Sequence, residues 1–313
     1  MKNRITEILG SQYPILLGAM RLISLGEMAA AVSMHGGFGQ IAASGLTSDR
    51  LRYEICRARE LSSAPIGINI PVYRPNAFEA LEIAIEEGIR TITTSAGDPR
   101  KLIQRIKEAG LRVLHKCSTV EMGKRAEEAG VDGVIASGAE AGGHVGRDEI
   151  TTLALVPQMV DVLKIPVVAA GGVGDGRGLL AVMALGAEGV EVGTRFLATK
   201  ECLIPEIHKQ HILSAKSDGT LIVGRRVLPM RVLKNKGPER IRAMEEKGAT
   251  KEEINALADQ MYCHDDPDNS LMPAGQIAGM IEEVLGIKEV IQSMFHEAKT
   301  LSKNVSDFFK EEW

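Results

Sequence analysis

The feature that most constrains this chain is a strand-and-helix rhythm along its first two thirds. Eight short, mostly apolar runs alternate with stretches of helical periodicity, of which 101–110 and 120–130 are clear examples. Runs that are continuously apolar are typical of parallel strands buried on both faces. The predicted strands are 13–20, 36–44, 65–70, 91–97, 112–118, 133–138, 166–172 and 189–196.

Eight strand–helix units predict an α/β fold, a closed (β/α)8 TIM barrel. A doubly wound open sheet is the rival architecture. The barrel is favoured because the count is eight and because no GxGxxG motif follows the first strand. In such a barrel the active site lies at the C-terminal ends of the strands.

The rhythm stops after Phe196, and the chain becomes more polar. We expect 1–201 and 271–313 to form the barrel, and 202–270 to form a mostly helical insertion or lid over its mouth. Thr250 and Glu253 have the spacing of a helix capping box. A final amphipathic helix near 286–312 is expected to pack back on the barrel.

Composition excludes several classes of protein. The net charge of −4 and the lack of a basic patch argue against a nucleic-acid partner. No window approaches the ~18 apolar residues of a membrane helix, and the first ten residues do not resemble a signal peptide. Cys56, Cys117, Cys202 and Cys263 are far apart, and the closest histidines are the pair in 208–211. The sequence therefore predicts a cytoplasmic protein with reduced thiols, without a membrane partner and without a metal site.

The C-terminal ends of the predicted strands are small, polar and rich in glycine. Such a surface suits a planar cofactor that approaches backbone amides. The residues concerned are Gly18, Ala19, Met20, Asn69, Ser95, Ala96, Gly97, Lys116, Ser137, Gly138, Gly171, Gly172, Gly193 and Thr194.

The segment 166–196 carries the strongest signal. Glycines end two neighbouring strands, at Gly171-Gly172 and at Gly193-Thr194. Backbone N–H groups at these ends, together with the N-terminus of a short helix, can hold an anion without a charged side chain. Barrels commonly place a phosphate after strands seven and eight. The alternative is that these are plain turn glycines.

The residues AAGGVGDGRG (169–178) and GAEGVEVGTRF (186–196) resemble the FMN-binding segment of the nitronate monooxygenase (2-nitropropane dioxygenase) family. That family includes flavin-dependent enoyl-acyl-carrier-protein reductases and NAD(P)H:quinone reductases. The similarity extends to YPILLGAM at 13–20, GINI at 67–70, AEAGGHVG at 139–146 and AGQIAG at 274–279, and so spans nearly the whole chain.

The resemblance implies an FMN site, with the phosphate near Gly171, Gly172, Gly193 and Thr194. It places Asn69 and Lys116 on the isoalloxazine side, where a cation would stabilise reduced flavin. The alternative for Lys116 is a strand-end or helix-pairing role. The other cofactor-binding residues implied are Gly18, Ala19, Met20, Gly143 and Ala170.

The resemblance also implies that His144 is the catalytic residue, since imidazole titrates near neutrality. The alternative is a polar residue in a loop. Glu140 either positions this loop or is solvated. Strand alternation turns His115 and Cys117 toward the helices, away from the site. Arg21 stands where many family members have an aromatic residue, and either meets an anionic substrate or turns to solvent.

We therefore expect an FMN-dependent oxidoreductase that acts on a small molecule. The leading reaction converts a nitronate or nitroalkane and O2 into a carbonyl compound and nitrite. The alternative is reduction of an enoyl thioester or a quinone by NADH or NADPH. A non-catalytic flavin-binding protein is disfavoured by the presence of both His144 and Lys116. A barrel resembling inosine monophosphate dehydrogenase would need a cysteine after the sixth strand. A homodimer is compatible with the sequence but not required by it.

Overall fold

A computed structural model describes residues 2–262, 266 and 268–310 of the chain. Cys263 and the end of the predicted last helix lie outside the described residues. The central feature is a (β/α)8 barrel, as the sequence predicted. Its strands are β1 (Ile15–Leu17), β2 (Gly39–Ala42), β3 (Ile66–Pro71), β4 (Thr91–Ser95), β5 (Arg112–Cys117), β6 (Gly133–Ser137), β8 (Val167–Ala170) and β9 (Gly189–Val192). The label β7 belongs to a short strand outside the barrel, Gly143–His144.

All neighbouring barrel strands are parallel, in the order β1-β9-β8-β6-β5-β4-β3-β2. The two edge strands meet through a parallel bridge between Leu16 and Phe38. There the Phe38 N–H donates to the Ile15 carbonyl at 2.8 Å, and the Leu17 N–H donates to the Phe38 carbonyl at 2.9 Å. The rival open sheet is therefore wrong.

Helices follow the strands and cover the outside of the barrel. Apolar side chains from the outer faces of the strands pack against them and form the main core. These helices are α2 (Gly26–Met34), α3 (Ser48–Leu61), α4 (Ala77–Glu86), α5 (Arg100–Glu108), α6 (Val120–Ala129), α7 (Thr152–Val162), α8 (Gly176–Ala184) and the short α9 (Thr194–Leu197).

An N-terminal helix, α1 (Arg4–Leu9), closes the bottom of the barrel. Its Ile5 and Leu9 pack with inward-facing strand residues such as Leu16 and Phe38, in a second core inside the barrel. Thr91, at the start of β4, donates its hydroxyl to the Ile8 carbonyl at 3.0 Å. The open end of the barrel is therefore the opposite one, where the strands end.

The C-terminal helix, α13 (Ile287–Phe308), packs against α8. Gly176 allows the close approach, because a Cβ there would lie 2.6 Å from the Met294 carbonyl oxygen and from the Ala298 nitrogen. The Tyr13 and Phe295 rings stack with centroids 4.4 Å apart. A 3-10 helix, Gln276–Met280, precedes α13. The expected packing of this last helix on the barrel is confirmed.

The segment 202–270 contains α10 (Glu206–Leu213), α11 (Lys236–Glu246) and α12 (Lys251–Met261). The capping box of Thr250 and Glu253 at the start of α12 is confirmed. Two strands that the sequence did not predict, β10 (Thr220–Val223) and β11 (Met230–Leu233), run antiparallel. With α11 and α12 they enclose a small apolar core of their own. The division into a barrel and a lid remains a prediction.

Candidate active site

A cavity of about 690 Å³ opens at the C-terminal ends of the barrel strands. Its size is in the range of small-molecule and cofactor sites. Of the strand-end residues that sequence analysis named, Gly97 and Gly138 do not line it. Every residue to which the family resemblance gave a catalytic or cofactor-binding role does. These are Gly18, Ala19, Met20, Asn69, Lys116, Gly143, His144, Ala170, Gly171, Gly172, Gly193 and Thr194. Their roles in binding remain predictions, but the structure brings all of them together.

The glycines after β8 and β9 leave backbone open to the cavity. Gly171 and Gly172 have φ of 94° and 75°, in the left-handed region that side chains disfavour. A Cβ on Gly171 would also lie 2.7 Å from the Ala141 nitrogen. At Gly193 the nearest atom to such a Cβ is the Met20 sulfur, at 3.8 Å, so space is left above the backbone.

The helix after Gly171-Gly172, whose N-terminus sequence analysis expected to help hold an anion, is α8, which starts at Gly176. A separate short helix, α9, starts at Thr194 directly after Gly193. The longer helix α8 does not offer a free N-terminus. Asp175 caps it by accepting from the Gly178 N–H at 3.1 Å, and Glu297 accepts from the Gly176 N–H at 2.7 Å. Two carboxylates there disfavour an anion at the start of α8. A phosphate at the glycines remains a prediction.

A buried ion pair lies at the floor of the cavity. Lys116 of β5 bonds to Glu191 of β9, and both side chains point into the barrel. Lys116 is therefore not a helix-pairing residue. Sequence analysis missed Glu191. The available signal was its place two residues before Gly193, since alternate residues of a strand share a face.

Polar side chains extend this floor across the barrel. The Gln40 amide donates to Glu191 at 3.3 Å and to the Leu17 carbonyl at 2.6 Å. The Thr93 hydroxyl donates to the side-chain oxygen of Gln40 at 2.5 Å, and the side-chain amide of Asn69 donates to the Thr93 hydroxyl at 2.9 Å. Asn69 and Lys116, the two residues expected on the isoalloxazine side, are thus held by one network.

His144 lies on a two-residue strand, β7 (Gly143–His144), that pairs antiparallel with β11. Next to it, the Val145 N–H donates to the Pro229 carbonyl at 3.1 Å. The His144 ring is exposed to the cavity, but protein crowds it from the other sides. This burial lowers the pKa of His144, a hydrogen bond to the Pro229 backbone opposes the shift, and the charge of Arg74 lowers the pKa further.

The lowered pKa favours a neutral imidazole at neutral pH. The nitrogen that donates to Pro229 carries the proton, so the other nitrogen has a free lone pair. This nitrogen can take a proton or accept a hydrogen bond. These are the properties of a general base, the role that the sequence predicts for His144.

Glu140 positions the loop that carries His144. Its carboxylate accepts from the Thr152 N–H at 2.9 and 3.0 Å and from the Thr152 hydroxyl at 3.0 Å, at the start of α7. Its carbonyl accepts from the Gln276 N–H at 3.0 Å. Of the two interpretations left open by the sequence, the positioning role is the one that these contacts support.

Two arginines line the cavity with unused hydrogen-bond donors. Within the described residues, the buried Nε atoms of Arg21 and Arg74 have no hydrogen-bond partner. Each guanidinium lies over a tyrosine ring, Arg21 at 5.1 Å from the centroid of Tyr262 and Arg74 at 4.9 Å from that of Tyr73. Both groups can meet an anionic ligand. Sequence analysis named Arg21 but missed Arg74.

His115 and Cys117 face the helices, as strand alternation predicted. Burial lowers the pKa of His115 to about 4, and its Nδ1 lies 2.8 Å from the Thr94 hydroxyl. Burial raises the pKa of Cys117 to about 12, which makes its thiol unreactive. Both residues belong to the packing around the site.

The upper wall of the cavity comes from the segment 202–270 and is mainly apolar. Its apolar members are Val223, Val227, Leu228, Met230, Ile241, Ile254 and Ala258. Among the described residues, no group of three His, Cys, Asp or Glu side chains could hold a metal ion. None of the described helices is long and apolar enough to cross a membrane.

Comparison with known proteins places this site in a family. The family model described as nitronate monooxygenase matches residues 2–297. A probable nitronate monooxygenase of Staphylococcus saprophyticus is 35% identical, and the match covers 71% of this chain and 75% of that protein.

Two further relatives carry other names. A (3aS,4S,5R,7aS)-5-hydroxy-7a-methyl-1-oxo-octahydro-1H-indene-4-carboxyl-CoA dehydrogenase of Mycobacterium tuberculosis is 33% identical, over 77% of this chain and 68% of that protein. The structure of FabK from Thermotoga maritima superposes with a TM-score of 0.94 at 34% identity, and the match covers 98% of this chain and 99% of that chain.

Proposed function

The chain belongs to the nitronate monooxygenase family, and from this premise we propose that it is an FMN-dependent oxidoreductase that oxidises nitronates with O2 to a carbonyl compound and nitrite. One observation carries the proposal. A histidine with a lowered pKa, a lysine–glutamate ion pair and a glycine cradle line the same cavity.

The residues present fit FMN. The backbone at Gly172 and Gly193 has room beside it for a phosphate. Gly171 and the Thr194 hydroxyl, which accepts from the Gly275 N–H at 2.8 Å, border the same cavity. Asn69 and Lys116 offer an amide and a cation to the ring system. When bound, FMN supplies the acceptor for electrons from the substrate.

The protein's own groups then act on the substrate. His144 takes the α-proton of a neutral nitroalkane, or orients a nitronate anion by hydrogen bonding. Arg21 and Arg74 attract the negative charge of the nitronate. The apolar wall from 202–270 excludes water from the carbon skeleton, and we propose that this segment is a lid.

A second candidate function is reduction of an enoyl thioester or a quinone by NADH or NADPH. The apolar wall from 202–270 favours it, because a long apolar surface beside the flavin-binding residues suits a bulkier substrate than a short nitronate. The relative that acts on a carboxyl-CoA compound supports a thioester. In this reaction His144 would hydrogen-bond the oxygen on which negative charge develops.

An anaerobic titration of the purified protein separates the two functions. NADH and NADPH are added to one sample and propyl-2-nitronate to another, and the flavin absorbance is followed. Bleaching by nitronate alone supports the leading function, and nitrite should then form when O2 is admitted. Fast bleaching by a nicotinamide, with no response to nitronate, would replace it with the second. A cytoplasmic location and a homodimer remain predictions.

A further inference from the structure

Glu191 is a buried acid for which the proposed reaction has no use. Its side chain is 3% exposed, inside a barrel strand. A carboxylate in such a place is costly unless it is paired and hydrogen-bonded. Its position therefore calls for an explanation in terms of the groups around it.

Both carboxylate oxygens of Glu191 are engaged. Oε2 pairs with the Lys116 ammonium, and Oε1 accepts from the Gln40 amide at 3.3 Å. The Gln40 amide is itself fixed by the Leu17 carbonyl and by Thr93. Glu191 is thus held rigidly, with its charge directed at one lysine.

The two members of this pair differ in their access to the cavity. The Lys116 side chain is 27% exposed, whereas that of Glu191 is 3% exposed. Lys116 is the member that can meet a ligand, and Glu191 fixes its position from behind. The charge of Glu191 also offsets that of Lys116, so that a ligand meets a nearly neutral pair instead of a lone cation.

We propose that Glu191 is a positioning residue for Lys116 and that it lowers the redox midpoint potential of bound FMN. Reduction adds electrons to FMN, and a nearby carboxylate opposes this while a nearby ammonium favours it. The inference rests on the proposed function only in taking FMN as the occupant of the cavity. It applies equally to nitronate oxidation and to thioester reduction.

Glu191→Gln is the direct test, because it removes the charge and keeps the shape and a hydrogen bond. We expect the midpoint potential of bound FMN to rise. The ratio of FMN affinities in the reduced and oxidised states should increase about tenfold, which corresponds to ~30 mV for a two-electron couple. The potential is measured by anaerobic reduction against a reference dye, and the affinity for oxidised FMN by fluorescence.

Two further variants complete a double-mutant cycle for Lys116 and Glu191. Lys116→Met leaves Glu191 without its partner, so the potential should fall, and the double variant should return toward the native value. Thr91→Val is the matched control, because it removes a neutral hydrogen bond of a barrel strand at the opposite end from the cavity and should leave the potential unchanged. If E191Q does not fold, K116M against T91V carries the same test with the opposite sign.

The outcomes separate this inference from the proposed function. A native protein that binds no FMN contradicts the proposed function. FMN-bound variants E191Q and K116M whose potentials equal the native one would overturn the role of Glu191 alone and make the pair a packing feature of the barrel. Shifts of the predicted opposite signs support it.

Discussion

At His144 opposing effects act on the pKa of the imidazole. Crowding by the protein and the nearby charge of Arg74 lower its pKa, whereas the hydrogen bond to the Pro229 backbone raises it. The net effect is a ring that stays neutral to lower pH than a free histidine. A base that remains unprotonated through neutrality suits proton abstraction from a carbon acid.

Replacing His144 by asparagine separates its two proposed roles. The base is needed for a neutral nitroalkane but not for a nitronate, which has already lost the α-proton. We expect H144N to lower kcat/KM for nitroethane by about 10²–10⁴-fold, the usual contribution of a general base, and to lower that for propyl-2-nitronate much less. Oxygen consumption measures both. Equal losses on the two substrates would argue against proton abstraction by His144.

Arg74 should control the pH range of the reaction. Because its charge lowers the pKa of His144, the variant R74Q should raise that pKa. The acid limb of the kcat/KM profile, where His144 becomes protonated, should then move to higher pH. R74K keeps the charge and is the control. A limb that stays in place in R74Q would mean that Arg74 does not influence His144 during turnover.

The floor of the cavity shows what sequence reasoning can miss at this scale. Lys116 and Asn69 were found because both lie at strand ends and both match positions of the family. Glu191 sits inside a run of apolar letters, and its partner is 75 residues away in the sequence. No local pattern reports such a pair, because only barrel closure brings β5 and β9 to a common interior.

At the scale of elements, the loop from β6 to α7 is held at two points. Glu140 ties its start to the first turn of α7, and β7 ties its middle to β11. Arg231 of β11 adds a hydrogen bond from Nε to the Ala139 carbonyl at 2.7 Å. The His144 loop and the segment 202–270 are therefore coupled through backbone pairing.

Removal of the Glu140 carboxylate should destabilise this arrangement. E140A leaves the Thr152 N–H at the start of α7 without its acceptor, and loss of such a cap costs about 1–2 kcal/mol of unfolding free energy. E140Q retains a carbonyl oxygen as an acceptor and should lose less. Urea unfolding compares the three proteins. Equal stability of E140A and native protein would contradict the capping role.

The eight barrel strands were predictable because each is a local apolar run with a turn signal at its end. The strands β10 and β11 were not predicted. They are four residues long, TLIV and MRVL, and pair with each other over all four residues across the turn 224–229. These apolar runs were an available local signal within a stretch that is polar as a whole. Only the pairing of β11 with β7, almost 90 residues earlier, leaves no trace in local sequence.

At the scale of the whole molecule, the closed barrel is a rigid frame that is covered at each end. Helix α1 fills the bottom, and the segment 202–270 borders the cavity at the top. Gly142 and Gly275 let the loop after β6 and the segment before the 3-10 helix approach each other there, since a Cβ on Gly142 would lie 2.6 Å from the Gly275 nitrogen. The AGGH and AGQIAG motifs, far apart in sequence, are adjacent in space.

Global stability should depend on pH through His115. Its folded pKa of about 4 lies below the unfolded value of ~6.5, so only the unfolded chain binds the proton between these values. The contribution of the neutral His115 ring to the free energy of unfolding is complete above pH 6.5. It is lost as the pH falls toward 4, by up to ~3 kcal/mol. Urea unfolding of native protein and H115Q at pH 7 and pH 4.5 should show a smaller loss for H115Q. Equal losses would contradict this assignment.

The central claim is that the cavity at the strand ends holds FMN, and the most direct measurement is calorimetric titration of FMN into flavin-free protein. The account predicts one FMN per chain, and predicts that a variant G193W, whose side chain would enter the open space above Gly193, loses that binding while remaining folded. A native protein that takes up no FMN would contradict the account, as would unchanged binding in G193W.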